Sequence, residues 1–245
     1  GAWYNMGSVD KELLMNEYHR ALRLAYLSCR KWHSDLQIYI SMDHHWNSVY
    51  QNDNGHALKG TDLVEGINQR AKEGGDFEWH IAHHPYPADL FYPTWWQDGT
   101  PTFSFDSPLM TLKNYEVMPV YLAQQHLLYK GNTRNIDISE MGFHTPGEAT
   151  GEEVQAAAWT CAFHKVKHMP EIGMYIYHSH ITSKKEAPLD MGLWTSDQPP
   201  RKKQIWDVFR QTETDTWESA FEFAKPILGI ESWDECLPDY DKVIK

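Results

Sequence analysis

Short apolar runs alternate with long amphipathic ones along this chain, and that alternation limits the folds open to it. Residues 9–31 place Leu14, Tyr18, Ala21, Leu22, Ala25 and Cys29 at helical spacing, and Ser8 or Asp10 can cap the start. Residues 36–41 read as a strand, 61–73 as a helix ending at Gly74-Gly75, and 77–82 as a second strand. A loop rich in Pro and Trp covers roughly 83–108. Residues 109–128 read as a helix that Pro119 kinks or splits. A strand over 136–139, a helix over 151–168 and a strand over 172–177 follow. After an irregular stretch at 178–200, helical patterns return at 201–211 and 216–225. With Ala2 to Asn5 as the tail of a first strand, the order is five βα units. Strict alternation predicts a parallel sheet covered by helices. No repeat or linker interrupts it, so residues 1–245 read as a single α/β domain.

Composition narrows the partners. Lys+Arg 22 against Asp+Glu 34 leaves a net charge of −12, and the basic cluster is only Arg201-Lys202-Lys203. Such a surface repels phosphate backbones, which argues against a nucleic-acid partner. No apolar run reaches 18 residues, so no membrane span is expected. Three cysteines without short spacing exclude a disulfide framework and a Cys-based zinc site, and Cys29 and Cys161 read as packing residues within helices. The chain opens Gly-Ala-Trp-Tyr-Asn without a signal peptide or an initiator Met, which reads as the inside of a longer gene. Its 11 Trp, 13 Tyr and 9 Phe fall largely in polar, loop-like sequence. Flat rings beside carboxylates suit ligands with one apolar face and many hydroxyls, such as sugars; a large aromatic core would use the same composition.

In parallel α/β folds the site lies beyond the C-terminal ends of the strands. Here those ends carry Asn5-Met6-Gly7, Asp43-His44-His45-Trp46-Asn47, His83-His84-Pro85-Tyr86-Pro87, Glu140-Met141-Gly142-Phe143-His144 and His178-Ser179-His180, with Trp194 further on. One polar cluster after a strand can simply cap a helix. A cluster after every strand points to shared function.

These elements resemble the clan A glycoside hydrolases. Ile138-Ser-Glu140 looks like the nucleophile strand of that clan, its seventh. His83-x-Pro-Tyr86 is similar to the clan's element after strand six, and Trp-Tyr-Asn5-Met-Gly7 to its Asn-Glu-Pro element after strand four. His80-Ile-Ala-His-His-Pro-Tyr-Pro-Ala-Asp-Leu90 resembles, more closely, an uncharacterised bacterial family of glycoside-hydrolase-like proteins. The resemblance covers nearly the whole chain and implies strands four to eight of a (β/α)8 TIM-type barrel. It implies a glycosidase that needs no cofactor and no metal, with Glu140 as nucleophile. Asn5, His83, Tyr86, His45, Trp46, His178 and Trp194 would line the carbohydrate subsite. A secreted or periplasmic setting goes with it.

Two departures qualify the expectation. Five strands cannot close an eight-stranded barrel, so either a second chain or an upstream segment completes it, or the strands form an open doubly wound sheet. The position of the acid/base Glu is Met6, which has no proton to give. Asp43 is the favoured replacement, beside the vacated place, with Glu148 and Asp190 as further candidates. A carbohydrate-binding protein without turnover fits the same residues. A metal-dependent hydrolase, with His178 and His180 as ligands, is a third class.

Overall fold

The computed structural model describes residues 10–50 and 57–245. The expected first strand, with Asn5 and Met6, lies outside the described residues. The rest begins with α1 (Lys11–Trp32), whose first turn is held by the Asp10 carboxylate accepting the Leu13 N–H at 2.7 Å. Then come β1 (Tyr39–Asp43), α2 (Gly60–Glu73) and β2 (His80–His84). The region expected as a helix kinked or split at Pro119 is a single turn at Leu112–Asn114 followed by α3 (Val117–Leu122), with the break before Pro119. Pro119 sits in the first turn of α3, where its missing N–H costs nothing. β3 (Ile136–Met141), α4 (Gly151–Lys167) and β4 (Ile172–Tyr177) complete the sheet. The C-terminal helices are α5 (Gln204–Gln211), α6 (Trp217–Phe221) and α7 (Ala224–Leu228).

The four described strands are parallel and neighbour one another in chain order. A doubly wound sheet reverses its strand order at a switch point and covers both faces. Neither holds here. Ile40, Met42, Ile81, Ile136, Ile138 and Met141 are buried on the helix side. The other face is open, with Met174 51% and Ile176 45% exposed. An arc of a TIM-type barrel accounts for both observations: the open face is the inside of the barrel wall.

On the helix side, the core joins Val64, Ile67 and Ala71 of α2 to Ala157, Ala158 and Trp159 of α4. Helix α4 is buried nearly all round because it lies between the sheet and the C-terminal helices. Near the N-terminal ends of the strands, buried Arg134 stacks on Trp79 at 3.8 Å. It also pairs with Asp76 at 3.1 Å and donates to the Trp79 carbonyl. Its partner is thus Asp76, and Glu140 at the opposite ends of the strands is left for other work. No described helix is long and apolar enough to cross a membrane.

β1 and β2 both extend two residues further toward their polar ends than the apolar runs indicate, to Asp43 and His84. The ladder pairs Met42 with His83 and Asp43 with His84, so the site residues belong to the strands themselves.

Candidate active site

Glu140 is brought to the open face by an irregularity in β3. Ile138 pairs with Tyr175 and Met141 with Tyr177, so β3 spends three steps where β4 spends two. Ile138 and Met141 are both fully buried, and the extra residue leaves Ser139 and Glu140 half-buried between them. The next residue but one, Gly142, passes so close to the His178 carbonyl that a Cβ would lie 2.0 Å from its oxygen. Only glycine allows the ends of β3 and β4 to approach in this way.

The Tyr86 hydroxyl donates to Glu140 Oε1 at 2.7 Å. Burial, followed by the adjacent Glu140 charge, pushes the Tyr86 phenol well above its ordinary range, so it stays a donor. The loop carrying Tyr86 is fixed by its aromatic anchors. Trp95 is buried and donates to the Ala158 carbonyl of α4 at 3.2 Å, and Asp98 accepts the Ala88 N–H at 2.9 Å.

His84, next to Asp43 in the ladder, faces the same side. Burial lowers its pKa, the charges of Glu140 and Asp43 oppose that shift, and His178 adds to it. These four groups therefore share one electrostatic neighbourhood. His178 Nε2 lies 3.1 Å from Glu186 Oε2, and the Glu186 charge also acts on Tyr86. Asp43 is exposed and its Oδ1 accepts the His45 N–H at 2.8 Å. Among the described residues, no three His, Cys, Asp or Glu side chains gather closely enough to hold a metal ion.

The expected site residues divide accordingly. Glu140, Tyr86, Asp43 and His178 come together. His83 does not join them: it is fully buried on the helix side, stacks on Tyr115 at 5.5 Å and places Nε2 3.0 Å from the Asp43 carbonyl. Burial lowers its pKa to about 3. Trp46 is also fully buried, donating to the Phe105 carbonyl at 3.0 Å and meeting Tyr121 edge-on, so it has no face to offer a sugar. His45 is half-buried, with Nδ1 2.8 Å from Ser48 Oγ. Trp194 packs against Trp206 of α5 with ring centroids 5.4 Å apart. Of the further acid candidates, Asp190 is engaged by Lys203 Nζ at 2.5 Å, and Glu148 lies in an exposed loop. Asn5 lies outside the described residues.

Two groups escaped sequence reasoning. His84 has the inward place that was expected of His83. Glu186, in the loop after β4, carried no motif to mark it. At the rim, Phe91 is 44% and Tyr92 66% exposed, and Phe91 meets His144 edge-on. These are accessible rings on the loop that follows Tyr86.

A family of unknown function (DUF5722) matches residues 1–236, and the chain belongs to that family. No curated protein matches it. Among solved structures, a hyperthermophilic β-glucosidase from Pyrococcus furiosus is similar, with a TM-score of 0.52 at 14% identity over 87% of this chain. The chain spans 50% of that enzyme's length. At this identity the likeness shows the fold, an α/β architecture of partial TIM-barrel type.

Proposed function

We propose that this member of the DUF5722 family acts on carbohydrate, with Glu140 as the nucleophile of a glycoside hydrolase. The observation that carries the reading is the 2.7 Å hydrogen bond from Tyr86 to Glu140 Oε1 at the open ends of parallel strands. A donor on one carboxylate oxygen fixes the group and leaves the other oxygen to attack an anomeric carbon. The covalent route divides one difficult displacement into two easier ones. In that route Glu140 displaces the leaving oxygen, which takes a proton, and water then releases the sugar. Asp43 is the proposed donor of that proton. His84 is poorly suited to the role, because burial disfavours its protonated form. Phe91 and Tyr92 offer rings for a sugar face. Further βα units, from an upstream segment or a second chain, close the barrel over the exposed Met174 and Ile176. A secreted or periplasmic setting suits a polysaccharide substrate.

Binding without turnover is the second reading, and Met6 at the proton-donor position favours it. One experiment separates the two. A 2-deoxy-2-fluoro glycoside with a good leaving group traps a retaining nucleophile as a stable ester. The label is expected on Glu140 by peptide mapping. Saturable glycan binding with no label supports binding alone, and a label on another carboxylate overturns the assignment of Glu140.

A further inference from the structure

Cys161 lies in α4, and Cys236 closes the single-turn helix Trp233–Cys236 near the C-terminus. They are 75 residues apart, yet their sulfurs are 2.8 Å apart. Both are buried, at 3% and 7% exposure. A disulfide bond of about 2.05 Å is within about 0.8 Å of this arrangement. Both thiols line a cavity of about 250 Å³, together with Lys165, Glu116, Trp95 and Trp96. That volume admits a small reagent. The pair sits among the helices, on the side of the sheet away from Glu140.

We infer that Cys161 and Cys236 form a dithiol–disulfide couple, oxidised by a low-molecular-weight disulfide that enters this cavity. Cys236 attacks first. The hydrogen bond from the Cys161 thiol favours the Cys236 thiolate, as does the nearby Lys165 ammonium, while burial disfavours ionisation of Cys161. The Cys236 thiolate bonds to one sulfur of the reagent. The reagent's S–S bond breaks, and its other half leaves as a thiolate that takes up a proton. Cys161 then loses its proton to water, and its sulfur displaces the second half of the reagent from Cys236. Two electrons and two protons have passed from the protein, and the reagent ends as two thiols.

The bond would fasten the C-terminal segment to α4. That segment is otherwise attached by the Asp239 N–H on Glu116 at 3.0 Å, the Tyr240 hydroxyl on Glu171 at 2.6 Å and main-chain bonds between Ile244 and residues 103–105. Closing a 75-residue loop stabilises chiefly by restricting the unfolded chain, and for a protein of this size a Tm increase of about 5–10 °C is expected.

The test uses the whole chain, first reduced and then treated under native conditions with bis(2-hydroxyethyl) disulfide, which is small enough for this cavity. Alkylation after denaturation counts the remaining thiols, and peptide mapping locates the bond. The expected result is one alkylatable thiol, Cys29, a Cys161–Cys236 linked peptide and the higher Tm, which dithiothreitol reverses. Cys29→Ser is expected to leave the linked peptide unchanged. Three free thiols after oxidation, or a bond that includes Cys29, would overturn the inference. The wild-type chain alone decides, so the outcome does not depend on whether Cys161→Ser or Cys236→Ser folds. It is also independent of any glycosidase activity.

Discussion

His83 and His84 are adjacent in sequence and lie on opposite faces of one strand: the first bonds the Asp43 carbonyl from within the core, and the second faces the carboxylates of Asp43 and Glu140. Each is kept mainly neutral by burial, with different consequences.

The buried histidines predict how stability depends on pH. The His83 pKa is lowered to about 3 and that of His164 to about 4, in both cases chiefly by burial. The unfolded chain binds these protons near pH 6.5, whereas the folded chain does not until far lower pH. Stability is therefore full above about pH 6.5 and is lost as pH falls below it. Each of the two groups removes about 1.4 kcal/mol per pH unit well below that point. Urea denaturation between pH 7 and pH 4.5 checks this, and His83→Asn is expected to flatten the slope. An unchanged midpoint across that range would contradict it.

Tyr86→Phe removes one donor to a charged carboxylate and leaves the ring in place. Such a bond is worth about 1.5–3 kcal/mol. If the lost bond acts in the transition state, kcat/KM on an aryl glycoside falls roughly 10- to 100-fold by the usual conversion. Equal activity in Tyr86→Phe would mean that Glu140 is positioned by other groups.

The missing acid predicts a dependence on the leaving group. If Met6 takes the place of the acid, as the resemblance implies, cleavage is expected to favour glycosides of acidic phenols, which depart without much protonation. Met6→Glu is then expected to raise the rate on unactivated oligosaccharides. Glu140→Gln should abolish both activities while the circular dichroism spectrum is retained. If wild type cleaves unactivated substrates well and Asp43→Asn loses only that activity, Asp43 is the acid.

Lys165 and Glu116 form a buried pair at 2.9 Å, with side chains 6% and 2% exposed. Lys165→Met strands the Glu116 charge and is expected to cost about 3–5 kcal/mol. The double change Lys165→Met with Glu116→Leu should recover most of that loss, measured by denaturant unfolding. A double variant less stable than the single would show that the Asp239 N–H, which Glu116 also accepts, outweighs the relief of the stranded charge.

The sequence carried some of these features and not others. The alternation of apolar runs was enough for parallel strands in chain order, because each run is too short for a helix and each intervening segment is long enough for a crossover. Glu140 was legible as a polar residue at the end of an apolar run, although β3 continues one residue beyond it to Met141. The choice between His83 and His84 was not. Trp79, His80 and Ile81 are all buried, so the run shows no two-residue period from which to read the strand's phase, and a shift of one residue exchanges the faces. Trp46 was expected to line the subsite from its place in the cluster after β1, but its indole is consumed by the core. The Cys161–Cys236 proximity joins positions 75 apart and has no local signature at all.

Each described strand pairs with the next strand in the chain, and the site draws on β1, β2, β3 and the loop after β4. The parts of the site are therefore collected by neighbouring elements, without waiting for a distant segment to return. Each pairing nonetheless closes a loop of tens of residues, so forming the sheet is slow compared with forming a helix. During synthesis β3 can dock on β2 once both have emerged, and α4 then fixes the Tyr86 loop through the bond from Trp95 to the Ala158 carbonyl. Pairing of β2 with β3 would then limit the rate of folding, and substitutions at their strand ends would be felt in the refolding rate.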